Sequence, residues 1–339
     1  MSRPRQPASG SRRRAFGAGG RLRSLGLGLL VAVGLPAGLV PPRAMAQTVR
    51  TFSAADLMKG TKVSREACAK LETSVFVEAE GDAVCIRYYI AGDARGKRAA
   101  VFFPGDSIGA DAKGKIGPDP GYLTQAPEYV QAAVGVWSQR LGVPFIFFGR
   151  PGLHGSSGWH GDRRTRREVA LTRLALDAIK AREGLAGYHV AGMSGGGILA
   201  AAALASRDDV GCAAIGSAPL DFYAFAKTFA IPLRTDGPRA HYDLMPEAAT
   251  VAGRKSARIL FLTSPKDRAV PPATQQPFVD AVKAAGGRYL HLFTEGRGPD
   301  RHALTEKSLF SLAMCIAGAA DGEIAARYGN TGPDDLPPP

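Results

Sequence analysis

Two serines in this chain sit at the centre of the pattern Gly-x-Ser-x-Gly. They are Ser194 in Gly192-Met193-Ser194-Gly195-Gly196 and Ser107 in Gly105-Asp106-Ser107-Ile108-Gly109. A serine hydroxyl becomes a nucleophile only when a base takes its proton and a third group orients that base. Glycines two places to either side let the backbone take a tight, strained turn without a clash. With 42 glycines among 339 residues the pattern alone decides little, so the flanks must separate the two matches. Ser194 follows the strand-like Tyr188-His189-Val190-Ala191 and precedes Ile198 to Ala205, a run of strong helix formers. The start of such a helix aims free N–H groups at an oxygen that turns negative during acyl transfer. Ser107 also follows a strand-like run, Ala99 to Phe103, but Ala110 to Gly121 reads as loop. Ser194 is therefore the candidate nucleophile. Its bland alternative is the N-cap of a helix in a non-catalytic domain.

Six histidines are available as the base. His302 ends a glycine-rich stretch, Glu295 to His302, between the last strand-like run and the last helical one. That puts it at the C-terminal edge of a parallel sheet, where doubly wound folds hold their ligands. His189 and His291 lie within strand-like runs and read as structural. His154 and His160 flank Gly155-Ser156-Ser157-Gly158 on a loop near the same edge, placed to line a site, and His241 precedes the penultimate strand. For the orienting acid, Asp267 lies among turn residues, Ser264 to Pro272, directly after the strand-like Ile259 to Thr263. A surface turn aspartate is its alternative. Asp221 is the second candidate acid. Asp300 is too close in sequence to His302 to be its expected partner, though near enough to touch it.

The elements that must position these residues alternate strand with helix from Arg98 onward, the signature of an α/β domain with a parallel sheet. Short apolar strands are expected at 99–103, 144–148, 188–191, 212–215, 259–263 and 289–293, each covered on both faces. Helical stripes lie between them: Val130, Ala133, Val134, Trp137 and Leu141; Leu171, Leu174, Ala175, Ala178 and Ile179. Two more are Phe278, Ala281, Val282 and Ala285, then Leu309, Leu312, Ala313 and Ile316. These are core positions. Ser74–Ala79 and Ala83–Ile90, joined by Glu80-Gly81-Asp82, read as an antiparallel hairpin.

The chain order Ser194, Asp267, His302 resembles that of the α/β-hydrolase superfamily. The likeness runs from about Arg98 to His302. Gly192-Met193-Ser194-Gly195-Gly196 looks like the family's nucleophile elbow, with Gly192 and Gly196 as its glycines. Asp267-Arg268-Ala269-Val270-Pro271 looks like its acid loop, and Gly149 to Gly158 like its glycine-serine loop after the fourth strand. The resemblance implies an α/β-hydrolase fold: a mostly parallel central sheet flanked by helices, with an N-terminal antiparallel hairpin and a short cap. The expected boundaries are 47–97 for the N-terminal segment and hairpin, 98–333 for the hydrolase domain, about 222–256 for the cap, and 334–339 for a tail. Phe222, Tyr223, Phe225, Phe229 and Ile231 would either shape an apolar pocket or pack the cap onto the body.

The resemblance also implies roles. Ser194, Asp267 and His302 form the catalytic set, and the backbone N–H groups of Gly195 and Asp106 hold the oxyanion. Many members carry His-Gly where this chain has Pro104-Gly105, a change that leaves a backbone donor intact. A carboxylate beside an oxyanion hole disfavours negative charge, so that of Asp106 should face away or bind a cation such as Arg150. Carboxylic esters are the expected substrates, through an acyl-enzyme. A serine peptidase or amidase of the prolyl-oligopeptidase type is the alternative. A non-catalytic binding protein of this fold needs a broken catalytic set, whereas all three positions are filled. No organic cofactor and no metal is required.

The first 46 residues read as a leader for export machinery. They hold eight arginines and no acids, an apolar run from Leu25 to Val40, and Ala44-Met45-Ala46 before Gln47. The run is shorter than the roughly 20 residues of a spanning helix, so no stable membrane anchor is expected. Arg13-Arg14-Ala15-Phe16 is an incomplete twin-arginine match, which leaves general secretion equally open. Without those arginines the net charge falls from +13 to +5, so the basic balance is no sign of nucleic-acid binding. Arg163 to Arg167 reads as a solvated face opening a helix. The expected destination is the periplasm or the exterior. Four cysteines then suggest two disulfides, Cys68–Cys85 and Cys212–Cys315, although three connectivities are open.

Overall fold

The computed structural model describes residues 50–110 and 115–332. The expected leader, residues 1–46, and the expected tail from 334 lie outside the described residues. Helices α1 (Ala54–Lys59) and α2 (Arg65–Ala69) lead into strands β1 (Ser74–Ala79), β2 (Asp82–Ala91) and β3 (Arg98–Phe103). A small hairpin follows, β4 (Ile108–Ala110) with β5 (Ile116–Pro118), then α3 (Pro120–Leu123) and α4 (Pro127–Leu141). The alternation continues with β6 (Phe145–Phe148), α5 (Arg166–Glu183), β7 (Gly187–Met193), α6 (Gly195–Ser206), β8 (Val210–Gly216) and α7 (Phe222–Thr228). It ends with α8 (Ala248–Ala252), β9 (Arg258–Thr263), α9 (Gln276–Ala284), β10 (Leu290–Phe293), α10 (Thr305–Ile316) and α11 (Asp321–Tyr328).

Eight strands form one sheet in the order β1-β2-β6-β3-β7-β8-β9-β10. β1 and β2 pair antiparallel, as do β2 and β6, and every later pairing is parallel. β6 crosses back over β3 to sit beside β2, while each later strand adds on the far side of β3. This is the strand order of the α/β-hydrolase fold, as expected. Helices α5, α6 and α9 cover one face, and α4, α10 and α11 cover the other. Gly195 to Ala205 of α6 are all buried, because glycine and alanine let the helix press closely onto the sheet beneath it. Both expected disulfides are present, Cys68–Cys85 with Cα atoms 5.6 Å apart and Cys212–Cys315 at 6.2 Å.

Two expectations need correction, and one pair of alternatives is decided. Leu174, Ala133 and Ala285 do not enter the core; they sit on the exposed shoulders of their helices, beyond the width of the buried stripe. The stretch after Gly109 is not a plain loop: Ile108–Ala110 and Ile116–Pro118 pair antiparallel, and Asp119 caps α3. Within 222–256, Phe222 and Phe225 belong to the main core, so these aromatics pack the segment onto the body, while Phe229 stays exposed.

Candidate active site

Ser194 stands between the last residue of β7 and the first of α6 with φ 57° and ψ −129°, a sparsely populated backbone for any residue with a side chain. The sequence around it makes that turn possible. A Cβ at Gly192 would stand 2.3 Å from the Gly196 carbonyl oxygen, and one at Gly196 would stand 2.1 Å from that of Phe103. The elbow is tied down on both sides. The Ser194 amide donates to the Gly216 carbonyl of β8 at 3.0 Å, and the Gly197 amide to the Ser194 carbonyl at 2.9 Å. The Gly195 amide, at the first position of α6, has no helical carbonyl one turn back to bond, as at the start of any helix.

Two loops at the same edge bring the expected acid and base together. Asp267 lies on the turn after β9 and His302 on the loop after β10. His302 Nδ1 donates to Asp267 Oδ2 at 2.7 Å. The other carboxylate oxygen accepts from the amides of Ala269 at 2.9 Å and Val270 at 2.8 Å, so Asp267 is fully bonded and fixed. With Nδ1 carrying the proton, Nε2 of His302 is the basic nitrogen. Ser264, which sequence reasoning passed over, joins the two loops. Its hydroxyl donates to the Arg301 carbonyl at 2.6 Å and accepts from the Gly296 amide at 3.0 Å. Asp221 is occupied as the cap of α7, accepting from the Ala224 amide. Asp300 pairs with Arg268 and not with His302.

The loop after β3 comes up beside the serine: a Cβ on Gly105 would lie 3.4 Å from that of Ser194. The next residue, Asp106, turns its carboxylate against Gly195, where a Cβ would lie 2.2 Å from Oδ1. It does so as the centre of an ion cluster. Arg150 Nη1 bonds Oδ1 at 2.8 Å, Arg164 bonds Oδ2, and Arg163 Nε lies 3.4 Å from Oδ2. Arg150, fully buried, also bonds Glu168 at 2.8 Å and the Pro104 carbonyl at 3.1 Å. Burial alone would raise the Asp106 pKa, but the guanidiniums of Arg164, Arg150 and Arg163 overcome it and hold the carboxyl far below the usual range. The pairing with Arg150 was expected; the other two arginines were not. Arg163 and Arg164 turn inward instead of forming a solvated face, and the guanidinium of Arg164 also stacks on Phe225, 4.8 Å from the ring centre.

His154 and His160 do not line the site. His154 is enclosed by Phe52, Tyr122 and Phe147, and burial pushes its pKa down to about 3. His160 lies beneath Asp106, and its Nε2 accepts from the Ser107 amide at 3.4 Å; burial, then Arg150, hold its pKa well below normal. Ser107 directly precedes β4 and not a helix. His241 accepts from the Arg234 amide and stacks on Phe222, and His291 bonds Thr263. A cavity of about 810 Å³ lies at the opposite edge of the sheet, around Arg258 of β9 and Leu290 of β10, away from all of this chemistry. Among the described residues no cluster of His, Cys, Asp and Glu could hold a metal ion, and no helix is long and apolar enough to cross a membrane.

No protein-family model matches the chain, and no curated protein matches it. Solved structures do. A puromycin-hydrolyzing peptidase of Mycobacterium tuberculosis is similar at 18% identity and a TM-score of 0.47. The match spans 73% of this chain and 40% of that one. The Pyrococcus furiosus esterase Pf2001 is similar at 13% identity and a TM-score of 0.49, over 79% of this chain and 97% of that one. Est1E of Butyrivibrio proteoclasticus, solved with ferulic acid bound, is similar at 15% identity and a TM-score of 0.47, over 72% and 99%. The chain thus spans about two fifths of the peptidase and nearly all of the two esterases. Likeness at this level adds nothing to the strand order and the elbow, which define the α/β-hydrolase fold by themselves.

Proposed function

We propose that this chain is an exported serine hydrolase that cleaves carboxylic esters through an acyl-enzyme. The observation that carries this reading is the His302–Asp267 hydrogen bond at the sheet edge onto which the strained Ser194 opens. His302 Nε2 takes the Ser194 proton as the hydroxyl oxygen attacks the ester carbonyl. The amides of Gly195 and Asp106 receive the oxyanion. His302 then gives its proton to the departing alcohol, and water, activated by the same histidine, releases the acid and restores Ser194. Asp267 holds the ring in the tautomer this requires. Each oxyanion donor is worth about 3 kcal/mol of transition-state stabilisation. Export fits the two disulfides, which persist in oxidising compartments.

The test is a panel of p-nitrophenyl esters run beside aryl amides and short peptides, with Ser194→Ala as the control. Turnover of esters well above amides, lost in the variant, supports the ester reading. Comparable turnover of amides moves the chain to the peptidase and amidase class. Ester turnover that survives in Ser194→Ala removes the serine from the mechanism.

A further inference from the structure

Beside the oxyanion loop lies a cavity of about 610 Å³ that the steps above leave unused. Its walls include Met58, Asp106, Ile108, Ile116, Gly117 and Pro118. We propose that it is the acyl pocket, taking an uncharged aliphatic acyl chain; this rests on the serine-hydrolase reading.

Position gives the first argument. The leaving group must lie near His302, which protonates it. His302 follows β10, and β8, β9 and β10 all lie on one side of β7, while β3 lies on the other. The β4–β5 hairpin follows β3. On a carbonyl held at Ser194, the substituent directed away from His302 therefore runs toward the hairpin. Asp106 joins the two places, because it abuts Gly195 and also forms part of the cavity wall.

The chemistry of the walls gives the second. The charged groups among the described residues that line it are already engaged. Asp106 is held by its arginines, Asp119 accepts from the amides of Gly121 and Tyr122, and Lys115 has a partner of its own. Met58, Ile108, Ile116 and Pro118 remain, and Ile116 is 58% exposed, an apolar surface open to an apolar occupant. A charged chain end would find no free counter-ion among these groups and would lose its hydration.

The third argument is a pair of glycines. Gly109 and Gly117 face each other across the centre of the hairpin ladder. Glycine weakens a strand and often marks a close approach by a ligand. Neither residue has the left-handed φ that would call for glycine, and a Cβ at either would meet nothing within 4 Å. Both are among the residues that line the cavity.

The experiment measures kcat/KM for p-nitrophenyl acetate and octanoate with the wild type, Gly117→Leu and Gly109→Leu. The octanoate-to-acetate ratio should fall about tenfold or more in each variant, since the added side chain takes space the longer chain needs. An unchanged ratio, including an equal loss on both esters from a folding defect shown by a lowered Tm, overturns the pocket. A wild type that turns over neither ester and is not labelled by a phosphonate at Ser194 overturns the serine-hydrolase reading, and the pocket with it.

Discussion

Asp267 gives one oxygen to His302 and the other to two backbone amides, so its orientation leaves no freedom to the imidazole. Asp267→Asn should keep that shape but favour the wrong tautomer, lowering kcat about 10⁴-fold with KM little changed in steady-state kinetics. Gly195 is constrained from the other side. A Cβ there would meet the Asp106 carboxylate at 2.2 Å, so Gly195→Ala should displace the loop carrying one oxyanion donor and cost about 10²-fold in kcat. Asp106 has a pH signature. Its folded pKa is depressed, so its contribution to stability is complete above the unfolded value of about 3.9 and is lost as pH falls toward the folded value. The stability gap between wild type and Asp106→Asn, measured by denaturant unfolding, should therefore narrow below about pH 4. The candidates Ser194, Asp267 and His302 could be picked out of the sequence because each sits in a stretch of glycine or turn residues that follows an apolar run. Arg163 and Arg164 were not. Five residues of mostly arginine opening a helix look solvated until the fold brings Asp106, from a distant loop, beneath them.

At the scale of elements, the site depends on how the ends of β9 and β10 are joined. Ser264 bonds both a carbonyl and an amide of the His302 loop, and a Cβ on Gly296 would lie 2.3 Å from the Arg301 carbonyl oxygen, so this loop has little room to shift. Ser264→Ala leaves the buried Gly296 amide and the part-buried Arg301 carbonyl without this partner. It should cost about 1–3 kcal/mol in unfolding free energy. It should also lower kcat more than it raises KM, because His302 loses its position and not its substrate contacts. The long strands were legible because a sheet covered on both faces demands continuous apolar runs, and six of its eight strands carry one between Arg98 and Phe293. The β4–β5 hairpin was hidden for the converse reason: glycine and proline make up half of its strands, and their preferences argue for loop, while the Asp119 amide closes it onto the Ser107 carbonyl and Ile108 packs in the core cluster with Phe52, Leu57 and Tyr122. Leu174 was misplaced because apolar spacing on a helix does not reveal how wide the buried stripe is.

The whole molecule joins its stability to its compartment. Cys212–Cys315 closes a loop of 103 residues and ties the centre of the sheet to α10, whereas Cys68–Cys85 closes one of 17. In the chain-entropy model the first is worth about 4–5 kcal/mol and the second about 3. Denaturant melts of Cys212→Ala/Cys315→Ala and Cys68→Ala/Cys85→Ala should rank in that order, both below wild type. Acid acts on the interior. Burial holds His154 near a pKa of about 3 and His189 and His241 near about 4, below the ordinary value of about 6.5. The unfolded chain takes up protons there that the folded chain refuses, so stability should fall as pH drops from about 6.5 to these folded values. The central claim concerns Ser194, and its most direct measurement is covalent labelling by a fluorophosphonate probe, located by peptide mass spectrometry. The account predicts one label, on Ser194 in the wild type, lost in Ser194→Ala and strongly slowed in His302→Ala. An unlabelled wild type, or a label that persists at full rate in His302→Ala, would contradict it.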